Sequence, residues 1–243
     1  MSEEVSLWEK IKEDFEQPIK NDPALNSKLE LFFNYPGVWA IINYRIANWL
    51  YIRNFKLLAR FIMGITQIIT NIDIHPEAKI GRRVFLDHAF GVVIGQTAIV
   101  EDDVLIYQGV TLGGVNLNRG EKRHPTIKSG SVIGSGAKVL GNIIIGHNCR
   151  IGSNSVVVKP VPDDSTAVGI PARVITKGRD KNPMAHNKIP DINKELFAYL
   201  FKRVKVLEDA IGCCDKATCN QDISQKDEEL EKIYELYLKT IKD

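Results

Sequence analysis

The chain has 243 residues, 44% of them hydrophobic and 26% charged, an ordinary globular composition with core material for one large domain or two small ones. Its 32 basic and 30 acidic residues leave a net charge of +2, which excludes a nucleic-acid partner held by bulk charge. The uncharged run over residues 31–44 contains Asn34, Pro36 and Gly37 and is too short to span a bilayer. The N-terminal MSEEVSLWEK lacks the apolar core of a signal peptide, so the expectations are no membrane association, a cytoplasmic location and reduced cysteines.

Residues 5–16 read as a short helix. Asp22-Pro23 has the form of a helix start, with Asp as cap and Pro in the first turn. From Val38 onward, apolar residues recur at three-to-four spacing through Ile41, Ile42, Ile46, Trp49, Leu50, Leu57, Leu58, Phe61, Ile62, Ile65, Ile68 and Ile69. That spacing predicts helices with one buried face. Arg45, Arg53, Lys56 and Arg60 mark the outer side, and Trp8, Trp39 and Trp49 read as helical core. Residues 1–70 therefore form a helical N-terminal domain.

The pattern then changes. Ile74, Ile80 and Leu86, then Ile94, Val100, Ile106 and Leu112, then Ile127, Ile133, Val139, Ile145, Ile151 and Val157 recur every six residues. Gly often follows the aliphatic position (Gly81, Gly95, Gly134, Gly146, Gly152). Most fifth positions are small or β-branched, with Phe90 and Ile143 as larger exceptions. A period of six fits neither a helix nor a simple strand. It fits a hexapeptide-repeat β-helix, in which each hexad is a short strand plus a turn and three hexads complete one triangular coil. Cys149 falls at an interior position. Extra residues at 91–93 and a longer insertion, 113–126, interrupt the period, and a loop leaving a rigid solenoid is a place for function. The β-helical domain spans 71–176, residues 177–190 read as a linker, and 191–243 return to helix. There Leu196, Leu200, Val204, Leu207 and Ile211 form one stripe, and Leu230, Ile233, Tyr237 and Ile241 another.

Only five histidines are present. His88 follows Asp87 at the first irregularity, and His124 lies in the long insertion after Arg123. A coil is 18 residues, so Asp73, fifteen residues before His88, falls near the same edge on the adjacent coil. A carboxylate there can hold one imidazole nitrogen and leave the other as a base. Acyl transfer to a hydroxyl needs such a base, although a solvated corner histidine has the same spacing. His75 and His147 read as outward and inert.

Asp73-Ile74-His75-Pro76, Leu86-Asp87-His88-Ala89, Thr111-Leu112-Gly113-Gly114, Arg123-His124-Pro125 and Gly169-Ile170-Pro171-Ala172-Arg173-Val174 occur in this order. Together they resemble the serine O-acetyltransferase family of hexapeptide-repeat acyltransferases, over residues 22–174. The resemblance implies an α+β architecture: an N-terminal α-helical domain, a left-handed parallel β-helix and, here, a C-terminal helical extension. It implies acetyl transfer from acetyl-CoA, a co-substrate rather than a bound cofactor, to the hydroxyl of L-serine in cysteine biosynthesis, with no metal. By the same resemblance His88 is the general base and Asp73 its partner. Asp87 and Asp22 meet the substrate ammonium, and Arg123 and His124 its carboxylate, the charges a zwitterion requires. Gly114, Ser135 and Ser153 match positions along the CoA arm. Lys159, Arg173, Lys177 and Arg179 are candidates for its phosphates, although a solvated basic surface explains them equally.

The family implies a homotrimer with sites at subunit interfaces, a hexamer being the alternative, and inhibition by L-cysteine at the serine site. Members dock a terminal Ile into O-acetylserine sulfhydrylase; here Thr240-Ile241-Lys242-Asp243 places Ile off the end, and a weak or absent complex is expected. The alternatives are a related O-acetyltransferase acting on another hydroxyl, such as a sugar, or a non-catalytic trimeric scaffold. The closely spaced histidines of a γ-type carbonic anhydrase are absent. Cys213, Cys214 and Cys219 lack paired zinc spacing and read as reduced thiols at a helix end.

Overall fold

The computed structural model describes residues 5–118, 120–177, 192–212, 228 and 230–232. The chain divides into two units, 1–184 and 185–243.

Helix α1 (Leu7–Asn21) opens with a capping box in which Ser6 and Glu9 satisfy each other's backbone N–H. It runs past the predicted end at residue 16 and through Pro18. Asp22 closes it, donating its N–H to Pro18 O. Asp22 therefore ends a helix and does not start one, contrary to the reading of Asp22-Pro23 as a start. The reason is tertiary: Ile11, Asp14, Gln17 and Pro18 form one buried face, whose docking outweighs the local cost of a proline.

Three helices follow: α2 (Glu30–Phe33), α3 (Pro36–Ile52), which has proline in its first turn, and α4 (Lys56–Thr70). Helix α3 docks onto the first coil of the solenoid. Tyr44 Oη donates to Ala78 O and accepts from Ile80 N, and Asn48 donates to Pro76 O. At Gly37 a Cβ would lie 2.2 Å from Leu86 O, so this contact requires glycine. Arg45, expected on the outer side, is buried. It forks onto Asp14 of α1 and donates to Ile80 O and Gly81 O.

Two other expectations fail here. Trp8 is 77% exposed and Trp49 40% exposed, so they are not core; Trp39 is half-buried against Phe15 and Phe32. Helix α4 buries Ala59, Met63, Thr66 and Thr70 and leaves its most apolar side, including Leu57, Phe61, Ile65 and Ile68, exposed in the single chain. Small side chains on the buried side let α4 approach α3 closely, and Asn43 bonds the Thr66 hydroxyl between them.

The solenoid is a three-faced prism of parallel strands. Face one stacks Asp73–Ile74, Val93–Ile94, Thr111–Gly113, Lys138–Leu140 and Val156–Val157. Face two stacks Lys79–Ile80, Ile99–Val100, Thr126–Ile127 and Ile144–Ile145. Face three stacks Phe85–Leu86, Leu105–Ile106, Val132–Ile133 and Arg150–Ile151, then closes with an antiparallel hairpin, Ser165–Gly169 and Ala172–Lys177. Every residue of the predicted six-period is buried, from Ile74 to Val157, each contributing about 1.5–3 kcal/mol. The interior also holds Ser131, whose hydroxyl donates to Gly146 O, and Cys149, whose thiol is pushed up to about 11 by burial.

In the second unit, α5 (Ile192–Gly212) buries Val206, while Leu200, Val204 and Leu207 of the expected stripe are exposed. Leu230 is buried. Cys213, Cys214, Cys219, Arg179, the segment 178–190 and the rest of the second stripe lie outside the described residues. Among the described residues no helix is long and apolar enough to cross a membrane.

Candidate active site

The two irregularities of the repeat lie at different corners of the prism. Residues 87–92 form the corner between faces three and one, and residues 114–125 project from the corner between faces one and two.

At the first corner, His88 and Ala89 are consecutive non-glycine residues with left-handed backbone, φ 55° and 62°. Each such residue costs about 1–3 kcal/mol of strain and persists only where its surroundings enforce it. The result is an outward imidazole, 71% exposed, with Nε2 4.0 Å from Asp87 Oδ1. Asp73 opens face one beside the same corner: its N–H donates to Val92 O, and Gly91 N–H donates to Asn71 O. Among the described residues no hydrogen bond or ion pair joins Asp73 to His88, so Asp87 is the carboxylate seen against the imidazole.

Asp22 arrives at this corner from the end of α1. Its carboxylate is held at both oxygens, by the Ala24 N–H at 2.8 Å and the Tyr35 hydroxyl at 2.5 Å. Burial pushes the Asp87 carboxyl above its ordinary range; His88 opposes the shift and the charge of Asp22 adds to it. Burial, then Asp87 and Asp22, raises the Tyr107 phenol. Burial and the bond to Asp22 raise Tyr35. Two carboxylates flanked by two phenols make a pocket that favours a cation. Tyr35 and Tyr107 were not singled out from the sequence. Only the return of the chain after α1 and the register of the second coil bring them here.

At the second corner, His124 is buried and Arg123 half-buried. The Cδ2–Nε2 edge of the His124 ring packs against Gly95, where a Cβ would come within 2.0 Å of Cδ2. A Cβ on Gly114 would be 3.1 Å from Arg123 Cγ and 3.2 Å from His124 Nε2. Burial lowers the His124 pKa, and Arg123 and Lys122 add to the shift, so the imidazole stays neutral below its ordinary range. His75, expected to be outward and inert, is half-buried one coil away. Its Nδ1 accepts from Glu77 N, and it meets the Tyr51 ring edge-on. His147 is exposed, as expected.

Ser135 and Ser153 follow His88 along the first corner on later coils, their hydroxyls 3.1 Å apart. Lys159 and Arg173 are exposed farther along the solenoid. Gly114 belongs to the other corner. The predicted residues thus form two groups: Asp22, Asp73, Asp87, His88, Ser135 and Ser153 on one edge, and Gly114, Arg123 and His124 on another.

A serine acetyltransferase from Synechococcus elongatus is 45% identical to this chain over 206 residues, covering 84% of each protein. The chain belongs to the serine acetyltransferase family. The bacterial transferase hexapeptide family (six repeats) matches residues 124–159, the coils that follow the insertion. Among solved serine acetyltransferases, one in complex with cysteine aligns with TM-score 0.69 and 39% identity, covering 75% of this chain and 70% of that one. One from Brucella abortus in complex with coenzyme A aligns with TM-score 0.67 and 41% identity, covering 71% and 68%. Membership makes the chain an acyltransferase, and it removes the scaffold reading.

Proposed function

We propose that this serine O-acetyltransferase divides the reaction between its two corners. Asp22 and Asp87 bind the substrate ammonium, and Arg123 and His124 bind its carboxylate. His88 removes the hydroxyl proton as oxygen attacks the thioester carbon of acetyl-CoA. Collapse of the tetrahedral adduct expels the CoA thiolate, which takes up the proton. Asp73 orients the imidazole from the adjacent coil; an orienting contact left open in the free enzyme can tighten when substrate binds. The pantetheine arm runs past Ser135 and Ser153, with Gly114 facing it from the second corner and Lys159 and Arg173 toward the phosphates.

The observation that carries this reading is the separation of the groups for the ammonium and the hydroxyl from those for the carboxylate. One face of a prism, a hexad of extended chain roughly 15–20 Å long, lies between the two corners. A single amino acid cannot bridge it, so the site closes when the second corner of one copy meets the first corner of another. Three copies around a threefold axis repeat that contact without leaving an unfilled corner. We therefore assign a homotrimer. L-Cysteine, which carries the same ammonium and carboxylate as serine with a thiol in place of the hydroxyl, competes for this site.

The test follows thiol release from acetyl-CoA with L-serine as acceptor. The wild type should show serine-dependent release, and His88→Ala should lose about 100- to 10,000-fold in kcat. Asp73→Asn should fall between them. Release with a sugar acceptor but not with serine would overturn the substrate assignment, and full activity in His88→Ala would overturn the base.

A further inference from the structure

Thr97 sits at the second corner, one coil before the insertion, between Val93–Ile94 and Ile99–Val100. Its hydroxyl oxygen is 3.0 Å from the backbone nitrogen of Arg123, 3.1 Å from that of His124 and 2.8 Å from His124 Nδ1. Its own backbone N–H donates to the same Nδ1 at 3.2 Å. These contacts fix where the protons are. A hydroxyl has two acceptor lone pairs and one proton. Here the lone pairs accept the two amide N–H groups, which leaves the proton for Nδ1. A ring nitrogen that receives donors carries no proton itself, so the neutral imidazole is protonated on Nε2. Nε2 is the atom beside Gly114 and Gly95.

The rest of the corner supports this arrangement. Lys122 Nζ donates to Thr97 O at 3.0 Å and His124 O at 2.8 Å, tying the end of the insertion to the coil beneath. The titratable and charged groups acting on His124 are Arg123 and Lys122 of its own loop, and His124 in turn adds to the lowering of the His75 pKa on the first coil. Those on its own loop favour the neutral ring.

We propose that Thr97 is a positioning residue that fixes His124 as the neutral Nε2–H tautomer, and that His124 therefore serves the site as a hydrogen-bond donor to a substrate oxygen and not as a base. The donor role rests on the reading of His124 as part of the substrate site. The tautomer rests on the hydrogen bonds alone.

The experiment uses the full-length assembled enzyme, with histidine ring nitrogens labelled with 15N and the His124 signals identified by their loss in His124→Gln. Thr97→Ser keeps the hydroxyl; Thr97→Val keeps the shape and removes it, and Thr97→Ala replaces Val should that variant not assemble. Expected are a single Nε2–H tautomer in wild type and Thr97→Ser, and in Thr97→Val a tautomer mixture with a higher His124 pKa. Expected too is a kcat/KM for serine lower by about 2- to 15-fold in Thr97→Val, the range for losing one neutral hydrogen bond. Thr97→Ser should stay near wild type, with KM for acetyl-CoA unchanged in both. Because Thr97→Val keeps the backbone donor to Nδ1, an unchanged tautomer in that variant, or equal loss in Thr97→Ser and Thr97→Val, would overturn the role of the Thr97 hydroxyl. Full activity in His124→Gln would overturn the donor role and with it the reading of this corner, independently of the tautomer.

Discussion

Replacing Arg45 with Met should be among the most damaging single changes outside the active site. The Arg45 guanidinium makes four bonds: to both Asp14 oxygens at 2.9 and 3.2 Å, and to Ile80 O and Gly81 O at 2.6 Å each. The Asp14 side chain has no exposed surface, so Arg45→Met strands a carboxylate without water or a counter-ion. Breaking a buried pair from one side costs about 3–5 kcal/mol, or roughly 6–20 °C in Tm for a chain of this length. Burial already raises the Asp14 carboxyl, with Arg45 holding it down. Without Arg45 its folded pKa rises further above the unfolded value. Stability then falls as pH rises through that window, because the folded state holds the proton more tightly. Arg45→Met should therefore be less destabilised at pH 5 than at pH 8. The double variant Asp14→Leu/Arg45→Met removes the stranded charge and should recover part of the loss, short of about 1–3 kcal/mol for carbonyls left without a donor. Urea unfolding followed by far-UV circular dichroism, at fixed protein concentration, measures all three. A single variant within 1 kcal/mol of wild type, or a double variant no better than the single, would refute the argument.

Tyr35→Phe releases one oxygen of Asp22 and should raise KM for serine by about 10- to 150-fold, one hydrogen bond to a charged group, with little change in kcat or in KM for acetyl-CoA; steady-state kinetics decide it, and an unchanged KM speaks against the clamp. Gly95→Ala puts a methyl into the His124 ring and should impair serine turnover more than it lowers Tm, read by paired assays and thermal melts. The Glu13 and Asp103 carboxyls are held below their ordinary range, first by hydrogen bonds to Arg82 and Arg83 respectively. Their stabilisation is present above the unfolded carboxylate pKa and lost as pH falls through the depressed values. Glu13→Gln should therefore lower Tm slightly at pH 7 and flatten its decline below about pH 4.5, as a Tm series from pH 3 to 7 would show.

The solenoid was legible because its period depends on one geometric fact: every sixth side chain points into a closed prism. Ile74 through Val157 had to be aliphatic wherever the coil turned regularly, and the breaks in that rule marked the corners that carry His88 and His124. The helices were less legible. A three-to-four spacing identifies an apolar face but not what covers it, which is why α4 hides Ala59 and Thr66 and shows Phe61 and Ile68. Asp22 was misread because aspartate and proline serve at either end of a helix, and only the docking of α1 decides between them. Arg45 looked solvent-facing because its acid partner lies 31 positions away in sequence. Thr97 and Tyr35 gave no signal, since a threonine or a tyrosine takes its role from neighbours that register and chain return supply.

The separation of the two corners has a genetic corollary. On the trimer proposed above, chains lacking His88 and chains lacking His124 should each be inactive when assembled alone, yet a mixed ring would contain one junction where the intact first corner of one chain faces the intact second corner of its neighbour. Random mixing in equal amounts should then restore about one site in four, since only mixed rings would contribute and each would have a single repaired junction. Two null alleles of this gene would complement each other when they fall on opposite corners and fail to do so when they share one.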